Sequence, residues 1–253
     1  MVSCLRCETP RDRLRIGEWE EPWTPKLGTE LYAYLRNLQP SLIINNRVSK
    51  ARAGMDGTSA AGQFSGDHDT PEQRIGAFNM ERPWETCMTI CEQWAWKSGD
   101  AMKPLPVCVR TLVSAAGGNG NLLFNVGPMP DGRIEPRQVE RLKEMGAWLR
   151  VNGEAFYGTR GGPFKPGAWG ASTRRGNRIY LHVFQWNGDS LALPALPAKI
   201  TLARLLAGGH VEYTQGENGV TVRVPAGNQD AIDTVIVLDL DRPAIALPAL
   251  DVR

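Results

Sequence analysis

The hydrophobic pattern of this chain changes twice, and those changes limit the folds open to it. Residues 1–15 are Arg-rich and carry neither helical nor strand periodicity. Residues 16–160 alternate continuous apolar runs with helical spacing. Leu31, Leu35 and Leu38 recur at helical intervals before Pro40, and Leu42-Ile43-Ile44 follows as a short apolar run. Glu85 to Ile90 and Asn121 to Val126 are two further strand runs. Val109, Leu112, Val113 and Ala116 mark a helix closed by Gly117-Gly118, and Pro136 opens another that extends to about Val151. The stretch from Asn46 to Glu81 reads as a long polar loop, and Asp131-Gly132 as a turn. Strands of continuous apolar character alternating with helices predict a parallel sheet covered on both faces.

From 161 to 253 the period becomes two. Ile179, Leu181 and Val183 alternate with Tyr180, His182 and Phe184, and Asn187-Gly188 reads as a hairpin turn. Strands are expected over Lys199–Ala203, His210–Thr214, Val220–Val224 and Thr234–Leu240. Short strands at this spacing predict an antiparallel β-sandwich. The expected organisation is a non-matching leader over 1–15, an α/β part over 16–160 and an all-β part over 161–253.

Composition narrows the function. Hydrophobic residues make up 42% of 253, enough for a sizeable core, and the net charge of +2 comes from acids and bases mixed along the chain. No nucleic-acid partner is expected from such a distribution. No run reaches the roughly 20 apolar residues of a membrane span, and the first residues lack the apolar stretch of a secretory signal. Cys4, Cys7, Cys87, Cys91 and Cys108 are read as free thiols. The Cys4/Cys7 pair has no second pair of ligands nearby, so no metal and no cofactor are expected.

In parallel α/β folds, chemistry collects where strands end. The residues there are Asn45, Asn46 and Arg47, then Asp67, His68, Asp69 and Glu72, then Trp84 and Glu85, and finally Asn125 with Gly127-Pro128. This mixture of carboxylates, an Arg and a Trp suits a sugar, whose hydroxyls need charged partners and whose C–H face packs on an aromatic ring. Glycoside hydrolysis needs two carboxyl groups flanking the bond.

Five ordered blocks, RNLQPSLIINNR, GDHDTPEQ, RPWETCMTI, GGNGNLLFNVGPMPDGRI and GAWLRVNGEAFYGTR, resemble the second half of the α-L-fucosidases of glycoside hydrolase family 29. The resemblance covers about Ile16 to Arg160. It implies the C-terminal part of a (β/α)8 barrel, with the all-β part as the family's sandwich. It also implies retaining hydrolysis of terminal α-L-fucosyl linkages, a fucosylated oligosaccharide or glycoconjugate as substrate, and work outside the cytosol. Arg47 corresponds to an Arg that holds the fucose, with a strand-end salt bridge as its other reading. Glu72 corresponds to the acid/base of some members. Glu85 is the rival acid/base, or a support for the site. Trp84 is open between sugar platform and core. His68 is a further substrate-side candidate, open to a plain hydrogen-bonding role in its loop. His182 and His210 are read as structural.

Where the family carries an aromatic-Asp-Gly strand with the nucleophilic Asp, this chain reads Arg15-Ile16-Gly17-Glu18-Trp19-Glu20. An Ile cannot attack carbon, so impaired activity and a truncated barrel are expected. Two other readings stay open: a non-catalytic carbohydrate-binding fragment using Trp169, Trp186 and Tyr213, and a half-enzyme that needs an N-terminal half-chain.

Overall fold

The computed structural model describes residues 24–50 and 64–252. Cys4, Cys7, Ile16, Glu18, Glu20 and the expected boundary at residue 15 lie outside the described residues. Thr24 starts helix α1 (Pro25–Leu38), its hydroxyl oxygen accepting the Leu27 N–H, and Gln39 turns extended just before Pro40. Gly28 is the buried residue of α1. A Cβ there would lie 2.3 Å from Ser49 Cα, so only glycine lets α1 rest on the short helix α2 (Arg47–Lys50).

Residues 42–44 are extended but form no strand, against the expectation. Among the described residues, the bridge next to them is a parallel one between Asn45 and His68, and Ile43 is 76% exposed. The polar stretch 67–73, expected as loop, runs between that segment and strand β1 (Glu85–Thr89), with parallel bridges at His68, Asp69 and Glu72. On one side the Asp67 N–H donates to Ile44 O at 2.6 Å, and the Asn46 N–H to His68 O at 2.9 Å. On the other, Glu85 donates to Asp69 O at 2.8 Å, Cys87 to Pro71 O at 2.9 Å and Gln73 to Cys87 O at 2.9 Å. These bonds are all backbone, which is why polar side chains do not prevent them and hydropathy does not announce them.

β1 pairs in parallel with β2 (Asn121–Asn125), Glu85 opposite Asn121 and Thr89 opposite Asn125. Helix α3 (Leu105–Gly117) makes the crossover, and α4 (Pro136–Asn152) follows β2. Along β1 and β2 the period of two assigns faces. Phe124 packs with the cluster of Cys108, Val109, Val113 and Met145, while Glu85, Cys87 and Leu123 line the opposite surface.

The remaining strands are antiparallel. β3 (Arg160–Gly161), β4 (Gly170–Arg175), β5 (Arg178–Val183), β10 (Thr234–Leu240) and β7 (Ile200–Leu205) form one sheet in the order β3-β4-β5-β10-β7. β6 (Ser190–Leu193), β9 (Gly219–Arg223) and β8 (Glu212–Gly216) form the other in the order β6-β9-β8. Both sheets supply one apolar cluster, with Ile179, Leu181, Ile236 and Leu238 from the first and Leu191, Leu193, Val220 and Val222 from the second. The other face of the larger sheet is also buried. Ala171 meets Val109 and Val113 of α3, while Tyr180, Val235 and Val237 meet Ala155 beyond α4. Burial on both faces explains why β10 reads as a nearly continuous apolar run, and why Tyr180 and His182 of β5 are buried along with Ile179, Leu181 and Val183. The Asn187-Gly188 turn is present, closed by an Asn187–Ser190 bridge, but it joins no hairpin: β5 and β6 belong to different sheets. The turn carries the chain across the core instead.

Candidate active site

The side chains on the exposed surface of the parallel segments converge on a cleft of about 340 Å³, within the roughly 300–1,000 Å³ of small-molecule sites. It is lined by Asn45, Arg47, Thr70, Glu72, Glu85, Cys87, Trp94 and Leu123. Alternation places them there. Thr70 and Glu72 are two apart on the extended segment, as are Glu85 and Cys87 on β1. The wall is polar on one side, with Arg47, Glu72 and Glu85, and apolar on the other, with Trp94 and Leu123.

Arg47 starts α2, so its side chain turns across the neighbouring segment. Its Nε donates to Thr70 Oγ1 at 2.9 Å, and its Nη2 donates to Glu72 Oε2 at 2.7 Å. Both side chains keep partial access to solvent, 36% for Arg47 and 17% for Glu72. Two guanidinium nitrogens held on two partners leave the group facing the cleft as a fixed donor. Cys87 lies among these charges. Burial, with the carboxylates of Glu72 and Glu85 adding to it, pushes its thiol up against the opposing pull of Arg47. It is a neutral wall residue rather than a thiolate nucleophile.

Four of the residues named from sequence, Asn45, Arg47, Glu72 and Glu85, therefore share one cleft. Trp84 does not join them. Its ring is 1% exposed, its indole N–H donates to Gly118 O at 3.2 Å, and it fills a slot floored by Gly76, Gly118 and Gly120. The sugar-platform reading of Trp84 is corrected: the period of two turns it away from Glu85 and into the interior. His68 is also outside the lining. It is half-buried, and its backbone bridges to Asn45, with its carbonyl accepting the Asn46 N–H. Thr70, Cys87, Trp94 and Leu123 were not picked out from sequence. Thr70 was within reach of the period-two argument once Glu72 was chosen. Trp94 was not, because it stands in an irregular segment beyond β1, where Asn125 Nδ2 donates to its carbonyl at 2.9 Å.

Other sequence candidates fall elsewhere. His182 and Asp233 are both fully buried and hydrogen-bonded at 2.7 Å inside the antiparallel part, and His210 is exposed at its margin. Trp169 is 9% exposed and, with Trp186 and Tyr213, packs on the core shared by the two sheets, so these rings form no aromatic binding face. Among the described residues, no three His, Cys, Asp or Glu side chains gather as a metal site, and no helix is long and apolar enough to cross a membrane.

The family model for α-L-fucosidase matches residues 17–154. The chain is 27% identical over 234 residues to an α-L-fucosidase of Branchiostoma floridae, covering 85% of this chain and 49% of that protein. Plasma α-L-fucosidase of Homo sapiens is 31% identical over 160 residues, covering 58% of this chain and 34% of that protein. Among solved structures, α-L-fucosidase isoenzyme 1 of Paenibacillus thiaminolyticus superposes with a TM-score of 0.70 at 33% identity, covering 85% of this chain and 53% of that one. A GH29 α-L-fucosidase of Bacteroides thetaiotaomicron, trapped as a covalent intermediate with 2-fluoro-fucosyl fluoride, gives 0.71 at 25% identity, covering 84% and 52%. The chain spans about half the length of the first two curated relatives.

Proposed function

Because this chain belongs to the α-L-fucosidase family, we propose that its cleft takes a terminal α-L-fucosyl residue of a glycoconjugate and supplies the proton-transfer side of retaining hydrolysis. The observation that carries this reading is the fixed Arg47–Glu72 pair facing Trp94 and Leu123 across one cleft. In this reading Arg47 holds sugar hydroxyls, and the apolar wall takes the sugar's C–H side. Glu72 protonates the leaving oxygen and then takes a proton from the attacking water; Glu85 supports the sugar from β1. The covalent intermediate named for the Bacteroides enzyme supports a two-step, retaining course. By resemblance Ile16 stands at the nucleophile's place, and an Ile forms no glycosyl bond, so the covalent step has no acceptor at that position and we assign this chain impaired turnover. The parallel segments are read as part of a (β/α)8 barrel, and the two antiparallel sheets as a β-sandwich. Work outside the cytosol is supported by the plasma relative.

A second reading rests on β2. Among the described residues β2 pairs only with β1, and Leu123 is 42% exposed, whereas parallel strands are ordinarily covered. A separate half-chain that completes the sheet fits that edge. Hydrolysis of two aryl α-L-fucosides, one with a good and one with a poor leaving group, separates the readings. The first expects turnover that Glu72→Ala reduces far more for the poor leaving group. Turnover untouched by Glu72→Ala sinks it. No turnover by the purified chain favours the second.

A further inference from the structure

The cleft's guanidinium is held by a series of side chains that runs away from the cleft into the interior. Asp69 is fully buried. Its Oδ1 accepts Arg82 Nε at 2.9 Å and Asn46 Nδ2 at 2.6 Å. A carboxylate accepts only, so the amide of Asn46, itself fully buried, must present its NH2 end to Asp69. That leaves Asn46 Oδ1 facing Thr70, and it accepts the Thr70 hydroxyl at 3.1 Å. The single hydroxyl proton of Thr70 is thereby committed. Its lone pairs are free to accept Arg47 Nε, which can only donate, at 2.9 Å. The bond directions are set from the Asp69 charge outward, and the series ends at the Arg47–Glu72 contact of 2.7 Å. It crosses between two adjacent segments, 44–46 and 67–70, whose backbones are already joined through His68 O.

We propose that Asp69, Asn46 and Thr70 are positioning residues that aim the Arg47 guanidinium into the cleft before a sugar arrives. This rests on the reading of Arg47 as the sugar-holding residue. An Arg side chain has many rotamers, and binding that must first choose one is weakened by the lost freedom. Fixing Nε in the free protein removes that cost, and a buried carboxylate that no sugar touches then sets the strength of sugar binding.

The test uses the full chain, labelled with 15N. The Arg47 Nε–Hε signal is identified by its loss in Arg47→Lys, and its solvent exchange is measured in the free protein. Thr70→Val keeps the side chain's shape and removes the hydroxyl; Thr70→Ser returns it. Exchange is expected to be about tenfold faster in Thr70→Val, as for loss of one charge-assisted hydrogen bond, and close to wild type in Thr70→Ser. Asp69→Asn, whose amide can face Asn46 either way, is expected to speed exchange in the same sense at an unfolding midpoint showing a folded chain. Affinity for L-fucose, measured by calorimetry, is expected to fall about tenfold in Thr70→Val and recover in Thr70→Ser. Unchanged Arg47 exchange in Thr70→Val overturns the proposal, as does an equal loss of affinity in the Val and Ser variants. If the wild-type chain binds no L-fucose, the reading of the cleft fails, while the exchange measurement still decides the positioning.

Discussion

Arg47 reaches Glu72 at 2.7 Å through Nη2 while Thr70 holds its Nε at 2.9 Å, so one planar group bridges two partners on the neighbouring segment. A lysine has the charge but not the fork. Arg47→Lys is therefore expected to weaken L-fucose binding by about 1.5–3 kcal/mol, the range for hydrogen bonds to charged groups. Titration calorimetry reads this directly, and an unchanged affinity would remove Arg47 from the site. Glu72→Gln keeps the shape and loses the transferable proton. Its turnover of a poor-leaving-group fucoside is expected to drop by about 10²–10⁴, with sugar affinity largely kept.

Trp84 is the packing anchor beneath the cleft. A Cβ at Gly120 would lie 2.4 Å from its ring, and one at Gly76 or Gly118 would lie 2.8 Å from it. Trp84→Ala is expected to cost about 3–5 kcal/mol, as for other buried aromatic truncations. Gly120→Ala is expected to destabilise as well, because the fused ring cannot swing clear. Urea unfolding of the two variants checks both, and a Gly120→Ala midpoint equal to wild type would contradict the slot.

Asp67 ties α1 to the parallel segments. Burial pushes its carboxyl up, but the Ile44 N–H, the Tyr32 hydroxyl and the Arg36 guanidinium together hold it below the ordinary carboxylate value of 3.8. A depressed folded pKa means stability that is present above the unfolded value and lost as pH falls through the folded one. The docking of α1 is therefore expected to be insensitive to pH above about 5 and to weaken below 3.8. Hydrogen exchange of α1 amides against pH measures it, and Asp67→Asn should flatten the profile.

Cys87 should be a slow thiol for a residue on an open cleft. Burial and the carboxylates of Glu72 and Glu85 raise its pKa above 9.0, leaving little thiolate at neutral pH. Peptide mapping after brief iodoacetamide treatment at pH 8 is expected to find it modified more slowly than an unstructured cysteine peptide. Glu72→Gln removes one raising charge, so modification should speed up in that variant.

Local pattern alone settled the elements whose environment is uniform. β10 runs Thr234–Leu240 as its β-branched, apolar run indicates, and α4 begins at Pro136 and ends beside Gly153, because proline placement and periodicity act over a few residues and need no distant partner. Arg47 and Glu85 could be chosen as candidates because each lies at or just beyond a strand-like run, and Glu72, inside what reads as a polar loop, because its GDHDTPEQ block resembles the family's. Only the tertiary structure decided that they meet. Residues 67–73 are polar, yet they enter the parallel array through backbone bonds that any residue can make once Ile44 and β1 are on either side. That insertion brings Glu72 to Arg47, buries Asp69 against Asn46, and turns Trp84 inward while Glu85 faces the cleft. The Asn187-Gly188 turn shows the same limit: its chemistry fixes a reversal of the chain, but which sheet each flanking strand joins depends on where the shared core lies. Sequence sets what each segment can do next to itself; pairing partners, and hence which side chains face the cleft, follow from contacts between residues far apart in the chain.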